Sequence, residues 1–126
     1  MSGAGERQLP GAPDVTAPDG SEVRILVSVP RGSMSHFRLQ PGQVAQAIVH
    51  RSVDELWYVI AGQGRIWRKV DETESMTELV PGLSLTIPVG TSFQFRCDGA
   101  EPLDIVGVTM PPWPGADEAV FVKGRW

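Results

Sequence analysis

The sequence predicts a single all-β domain. Short runs rich in Val, Ile, Trp, Tyr and Phe are separated by Gly, Pro and Asp at intervals of about 8 to 12 residues, which is typical of β-sandwiches and barrels. No segment keeps a helical hydrophobic period beyond about three turns. The 126 residues suffice for one domain that buries roughly two-thirds of its unfolded surface without a disulfide or a structural metal.

Ten strands are expected in order along the chain. They are predicted at 23–29, 35–40, 45–50, 55–61, 64–70, 76–80, 83–88, 92–97, 103–110 and 119–126. The sequence AGQG at 61–64, between two strong strand signals, predicts a hairpin. The acidic stretch DETESMTE at 71–78 predicts a solvated turn, and PGADEAV at 114–120 allows one short turn of helix.

The two ends of the chain differ in composition from the middle. Residues 1–20 are rich in Gly and Pro and hold few large apolar side chains, so they predict a flexible tail, or an arm lying on a partner subunit. The barrel is then expected to span residues 21–126. Its last part, 111–126, is rich in Pro and Trp, and we expect Trp113 to close one end of the barrel or to pack in a dimer interface.

Charge and cysteine content exclude several classes of partner. The net charge is −4, and the acidic and basic residues are mixed along the chain, so neither a nucleic-acid surface nor a membrane anchor is expected. The single cysteine, Cys97, cannot form an internal disulfide. No apolar run approaches the ~20 residues of a membrane span, and the N-terminal residues lack the apolar centre of a signal peptide. The prediction is a soluble, cytoplasmic protein.

Two spaced motifs carry the most specific signal. The first, G-x5-I-x-H-x4-E-x6-G, consists of Gly42, Ile48, His50, Glu55 and Gly62. The second, G-x5-P-x-G-x2-F-x3-C, consists of Gly82, Pro88, Gly90, Phe93 and Cys97. In this order they resemble the two motifs of the cupin superfamily, G-x5-H-x-H-x(3,4)-E-x6-G and G-x5-P-x-G-x2-H-x3-N. The resemblance covers about residues 40–110.

The resemblance implies a jelly-roll barrel, also called a double-stranded β-helix, and usually a homodimer. Metal-binding cupins hold their ion with three histidines and a glutamate, and these positions correspond here to Ile48, His50, Glu55 and Phe93. Because Ile and Phe supply no donor atom, two of the four ligands remain. We therefore expect no cofactor, with a divalent ion (Fe, Mn, Ni or Zn) on His50 and Glu55 as the alternative.

Strand geometry predicts what else faces the interior. Side chains alternate across a strand, so the residues two or four positions from His50, Glu55 and Phe93 should face the same way. They are Gln46, Ile48, Trp57, Val59 and Phe95. The expected site is an apolar, aromatic-lined pocket for a small organic ligand, with few polar groups.

The chemistry of this pocket leaves three functions open. In the first, the protein binds a small molecule and can isomerise, cyclise or dehydrate it without a cofactor, with His50 as the main acid and base and Glu55 as its orienter or second base. In the second, it is a metal-dependent dioxygenase or isomerase with an incomplete ligand set. In the third, it is a non-catalytic dimeric binding or sensor module, in which His50 and Glu55 form a structural hydrogen bond. Whether the protein is an enzyme stays open at this point.

Overall fold

A computed structural model of the chain describes residues 3–126 as a barrel of two antiparallel sheets. Its strands are β1 (Val15–Thr16), β2 (Glu22–Val29), β3 (Gly32–Leu39), β4 (Ile48–His50), β5 (Asp54–Ala61), β6 (Gly64–Val70), β7 (Thr73–Leu79), β8 (Ser84–Ile87), β9 (Ser92–Cys97), β10 (Leu103–Met110) and β11 (Ala119–Phe121). A 3₁₀ turn, Ala116–Glu118, precedes the last strand and confirms the expected turn of helix. Within residues 3–126 no helix is long and apolar enough to cross a bilayer.

The two sheets pack face to face around one core. The larger has the strand order β1-β2-β3-β10-β5-β8, and the smaller has the order β11-β4-β9-β6-β7. Buried and exposed residues alternate along β5 and β8, so that one face of each strand points inward. The core consists of aliphatic and aromatic side chains from both sheets. The jelly-roll architecture is therefore confirmed.

Three strands were predicted with their exact bounds. The strands expected at 64–70, 92–97 and 103–110 have those bounds in the structure. The strand expected at 45–50 is shorter and begins at Ile48, because the preceding backbone bonds to other segments: Gln46 N donates to the Asp19 carbonyl over 2.8 Å. The last strand ends at Phe121 rather than Trp126.

The hairpin expected at AGQG is wrong. Strand β5 pairs with β8 and β10, whereas β6 pairs with β7 and β9, so the chain changes sheets at Gly62 instead of folding back on itself. A short connection with glycines has the same kind of local sequence whether it closes a hairpin or carries the chain into the other sheet. Only the long-range pairing of the two strands distinguishes them.

The prediction of a solvated turn at 71–78 is also wrong for most of these residues. Strand β7 occupies Thr73–Leu79 and pairs with β6 along seven residues, which leaves only Asp71 and Glu72 in the turn. Because β7 is an edge strand and mostly exposed, acidic side chains are compatible with it.

The N-terminal segment contributes to the barrel before Ser21, the predicted start of the fold. Strand β1 pairs with β2, and Asp14 N donates to the Val23 carbonyl over 2.9 Å. The Arg24 guanidinium donates to the carbonyls of Pro10 and Gly11 over 2.9 and 3.0 Å. The mobility of residues 1–20 and their contact with a partner subunit stay predictions, and residues 1–2 lie outside the described residues.

The glycines of the two sequence motifs share one backbone property. Gly42, Gly62, Gly82 and Gly90 have φ angles of 81°, 88°, 93° and 86°, a left-handed conformation that side chains disfavour. Gly62 is also sterically confined, since a Cβ atom there would lie 2.3 Å from the Pro102 carbonyl oxygen. At Gly42 no atom lies within 4 Å of the added carbon.

We expect Gly62→Ala to lower the free energy of unfolding by about 3 kcal/mol or more, since it adds a steric clash to backbone strain. Gly42→Ala is the matched control, and it should cost only the strain, about 1 to 2 kcal/mol. Urea denaturation followed by tryptophan fluorescence measures both. Equal losses in the two variants would contradict the close approach of the 101–103 backbone to Gly62.

Candidate functional site

A cavity of about 520 Å³ lies between the two sheets. Its aromatic lining comes from Phe37, Trp57, Phe93 and Phe95. Residues 15–19 of the N-terminal segment form one wall, and Pro112, Trp113, Ala116 and Ala119 form another. The cavity is thus built by the barrel strands together with segments from both ends of the chain.

His50 and Glu55 meet inside this cavity. His50 ends β4, Glu55 is the second residue of β5, and their side chains are 4% and 3% exposed. The distance from His50 Nδ1 to Glu55 Oε1 is 3.5 Å, and within residues 3–126 this nitrogen has no hydrogen-bond partner. The two groups are therefore in contact without a formed hydrogen bond, unlike the structural pair considered from the sequence.

The Glu55 carboxyl lies against a backbone that only glycine allows. A Cβ atom at Gly107 would be 2.9 Å from Glu55 Oε2 and 2.5 Å from the Phe37 ring. Burial raises the pKa of Glu55 to about 8. The negative charge of Asp19 adds to this increase, whereas Trp57 opposes it, although the indole N–H lies outside hydrogen-bonding geometry. Glu55 therefore keeps its proton at neutral pH.

The His50 ring is enclosed by aromatic side chains. The rings of Phe93 and Trp113 each lie 5.3 Å from the imidazole in edge-on orientations. Burial lowers the pKa of His50, and the charge of Glu118 opposes this effect only in part. At neutral pH the site therefore combines an uncharged imidazole, which can accept a proton, with an uncharged carboxylic acid, which can donate one.

Glu118 fixes the loop that follows His50. Its carboxylate accepts hydrogen bonds from Ser52 N, Ser52 Oγ and Val53 N over 2.6, 2.7 and 2.9 Å. Burial alone would raise the pKa of Glu118, but these hydrogen bonds and the nearby His50 outweigh it, so the pKa is lowered. The sequence analysis gave this residue no role, because the contact joins segments far apart in the chain.

Asp19 is a second residue that the sequence analysis missed. It lines the cavity and is 7% exposed. Its Oδ1 accepts hydrogen bonds from Ser21 N and Ser21 Oγ over 3.0 and 2.7 Å. Burial raises its pKa, and the Ser21 hydrogen bonds counteract this in part. The sequence DGS at 19–21 signals a turn around this residue, but nothing in it indicates a position inside a barrel.

Most of the predicted pocket residues line the cavity. Ile48, Trp57, Phe93 and Phe95 do so together with His50 and Glu55. Gln46 does not: it is exposed, because β4 begins only at Ile48 and strand alternation does not extend to position 46.

Val59 is also absent from the cavity lining. It is fully buried in the core, because β5 runs from the cavity into packed side chains two residues beyond Trp57. Its role is therefore in core packing rather than in ligand contact.

The residues present do not fit the metal centre that the resemblance implies. Within residues 3–126 no group of three or more His, Cys, Asp or Glu side chains is placed to hold an ion. Ile48 and Phe93 stand opposite each other on β4 and β9, and the Phe93 ring packs on the imidazole. His50 and Glu55 alone are fewer donors than a protein iron, manganese or zinc site uses. The metal content of the protein stays a prediction.

Comparison with known proteins identifies one family. Residues 35–109 match a family model described as "Cupin domain". Mannose-1-phosphate guanylyltransferase of Klebsiella pneumoniae is 22% identical over 102 residues, which is 81% of this chain and 21% of that protein. The chain thus spans about a fifth of the length of this curated relative.

Solved structures with the same fold include two with bacterial sources. The capsular polysaccharide assembling protein CapF of Staphylococcus aureus is 18% identical, with a TM-score of 0.71 over 85% of this chain and 33% of that chain. KdgF from Halomonas sp. is 17% identical, with a TM-score of 0.66 over 75% of this chain and 82% of that chain. At these identities the similarity shows the fold alone.

We expect Phe93→His to increase the affinity for Zn²⁺ or Ni²⁺ by about 10-fold or more, since it adds a third donor beside His50 and Glu55. Isothermal titration calorimetry measures the affinity. Phe121→His is the matched control, because Phe121 is 56% exposed and does not line the cavity. An equal gain in both variants would show that position 93 does not complete a site with His50.

Proposed function

The chain belongs to the cupin family, and on this basis we propose that its barrel binds a small apolar or aromatic carbonyl compound and transfers a proton on it without a cofactor. The observation that supports this proposal is the contact between His50 and Glu55 in an apolar cavity, where burial raises the pKa of Glu55 to about 8. The reaction class is an isomerisation, cyclisation or dehydration that proceeds through an enol.

The proposed step uses both groups in their uncharged forms. His50 removes a proton from the carbon next to the carbonyl, and the electrons of that C–H bond form the C=C bond of the enol. Glu55 gives its proton to the carbonyl oxygen, so no charged enolate forms in the apolar cavity. Glu55 thereby acts as the acid, a different role from the orienter or second base expected from the sequence. In an isomerisation, His50 then gives its proton to a different carbon conjugated with the enol while Glu55 takes back the hydroxyl proton, so the C=O bond re-forms and both groups regain their starting protonation states.

The aromatic lining holds the rest of the ligand. The ring centroid of Trp57 lies 4.8 Å from that of Phe95 and 5.8 Å from that of Phe93 in edge-on contacts, and all three rings line the cavity. A volume of about 520 Å³ falls in the range of small-molecule sites. This lining favours a compact, largely apolar ligand.

The names of related proteins suggest a different ligand class. The name of the Klebsiella relative would favour a sugar phosphate as the ligand, and that of CapF a saccharide. Among the described residues that line the cavity none is Lys or Arg, and most are apolar. A phosphate would therefore be buried without a cation, which disfavours this ligand.

Two alternatives remain for comparison. A metal-dependent enzyme is disfavoured by the ligand set, in which Ile48 and Phe93 supply no donor. A non-catalytic binding or sensor module would use the same cavity without proton transfer. Proton exchange on a bound ketone separates the second alternative from the proposed enzyme.

We expect the protein to accelerate hydrogen–deuterium exchange at the acidic carbon of 2-indanone in D₂O, measured by proton NMR. His50→Gln should lower the rate by about 100-fold or more, the usual contribution of a general base, and Glu55→Gln should have a comparable effect. His36→Gln is the matched control, since His36 is also buried but does not line the cavity. Binding of the ketone without exchange would favour the non-catalytic module.

The exchange rate should have a bell-shaped pH dependence. It should rise as His50 loses its proton, at a pH below the usual value near 6.5, because the pKa of His50 is lowered by burial. It should fall as pH passes about 8, where Glu55 ionises and can no longer donate. A rate that is constant from below 6 to above 9 would contradict the assignment of the two groups.

A homodimer is the quaternary structure that we propose. On the outer face of β5 the side chains of Leu56, Tyr58 and Ile60 are 46%, 52% and 48% exposed, which makes a contiguous apolar surface. Covering this surface with a second copy would remove it from water.

We expect sedimentation velocity to give twice the mass of the chain and Tyr58→Glu to shift the protein to monomer, because the new carboxylate would be buried in the interface. Val70→Glu is the matched control, since Val70 is 48% exposed and ends β6 in the other sheet. A monomeric wild-type protein would contradict the dimer.

A further inference from the structure

Every ionisable group that lines the cavity is an acid or a histidine. In the described part of the chain these groups are Asp19, His50 and Glu55, with no lysine or arginine among the lining residues. The other polar lining residues are serines and threonines, which are Thr16, Ser21, Ser28, Ser33, Ser35 and Thr109. The cavity can thus donate and accept hydrogen bonds, but it has no fixed positive charge.

Asp19 and Glu55 approach the cavity from different parts of the fold. Asp19 lies on the N-terminal wall, held by the bond from Gln46 N to its carbonyl, and Glu55 lies on β5. They are close enough for the charge of one to affect the other. Within residues 3–126 the hydrogen bonds to the Asp19 carboxyl involve Oδ1, so its second oxygen is available to a ligand.

From this arrangement we infer that the ligand is uncharged and carries at least one carbonyl or hydroxyl group, and that Asp19 is the residue that excludes carboxylates and phosphates. The inference rests on the proposed binding function and narrows its substrate class. An anionic ligand would have to give up its water without finding a cation, and it would lie near the negative charge of Asp19. A neutral ketone has no such cost and can accept a hydrogen bond from the protonated Glu55 carboxyl, and a hydroxyl group can in addition donate one to Asp19.

The test compares ligands that differ only in charge. Isothermal titration calorimetry at pH 7 measures the affinity for matched neutral and anionic aryl ketones, with 4-methylacetophenone and 4-acetylbenzoate as the reference pair. The wild-type protein should bind the neutral member about 100-fold or more tightly, since the carboxylate would be desolvated without a partner. The ratio of the two affinities is the readout.

Asp19→Asn isolates the contribution of the acid. The amide of Asn keeps an oxygen that can accept the hydrogen bonds from Ser21, and it adds N–H donors in place of the negative charge. The affinity for 4-acetylbenzoate should therefore rise about 10-fold, while the affinity for 4-methylacetophenone should change by less than about twofold. Asp71→Asn is the matched control with the same change in charge, since Asp71 is exposed in the turn between β6 and β7, and it should leave the ratio unchanged.

Thr16→Lys provides a second route if Asp19→Asn does not fold. Thr16 is exposed at the cavity wall. A cation there should raise the affinity for 4-acetylbenzoate, relative to that for the neutral ketone, by about fivefold, since the attraction between charges is weak at an exposed position.

The outcomes separate this inference from the proposed function. Equal or tighter binding of the carboxylate by the wild-type protein would overturn the inference and leave the binding function in place. An unchanged ratio in Asp19→Asn would overturn the role of Asp19, and an unchanged ratio in Thr16→Lys would overturn the lack of a cation as the reason that anions are excluded. If no member of the panel binds the wild-type protein, the proposed function fails and the inference fails with it.

Discussion

Burial of the Glu55 carboxyl is the constraint on which the rest of the site depends. An acid inside an apolar barrel must be paired with a cation, bind a metal or keep its proton. Among residues 3–126 no Lys or Arg lines this cavity, and Ile48 and Phe93 stand where metal ligands would be needed. The carboxyl therefore keeps its proton, and the imidazole of His50 stays uncharged beside it. Instead of an ion-binding site, the cavity contains an uncharged proton donor, Glu55, beside an uncharged proton acceptor, His50.

The sequence predicted the barrel, its motif glycines and six of the residues that line the cavity. The resemblance to the cupin motifs implied the glycines and the inward-facing positions 50, 55 and 93, and strand alternation added their neighbours. It did not predict contacts that depend on distant segments. Asp19 reaches the cavity through a bond to Gln46 N, and Glu118 reaches Ser52 across 66 positions in the chain. Gln46 was placed wrongly for the same reason: its backbone bonds to the N-terminal segment, so no regular strand extends through it.

The cavity is built partly from the residues that match the family and partly from segments outside them. Residues 35–109, which match the family, supply the strands that carry His50, Glu55 and the aromatic lining. The walls that contain Asp19 and Trp113 come from segments outside that range. Relatives that share the barrel at about a fifth identity therefore need not share these walls. Ligand preference can change between members of the family without change in the fold.

The acidic strand β7 has a consequence for the behaviour of the protein in solution. As the edge of the five-stranded sheet, it has backbone groups that a strand of another molecule could pair with. Glu74 and Glu78 are exposed along it, so two such edges brought side by side would place like charges opposite each other. The side chains of this one strand therefore oppose self-association of the protein into extended intermolecular sheets.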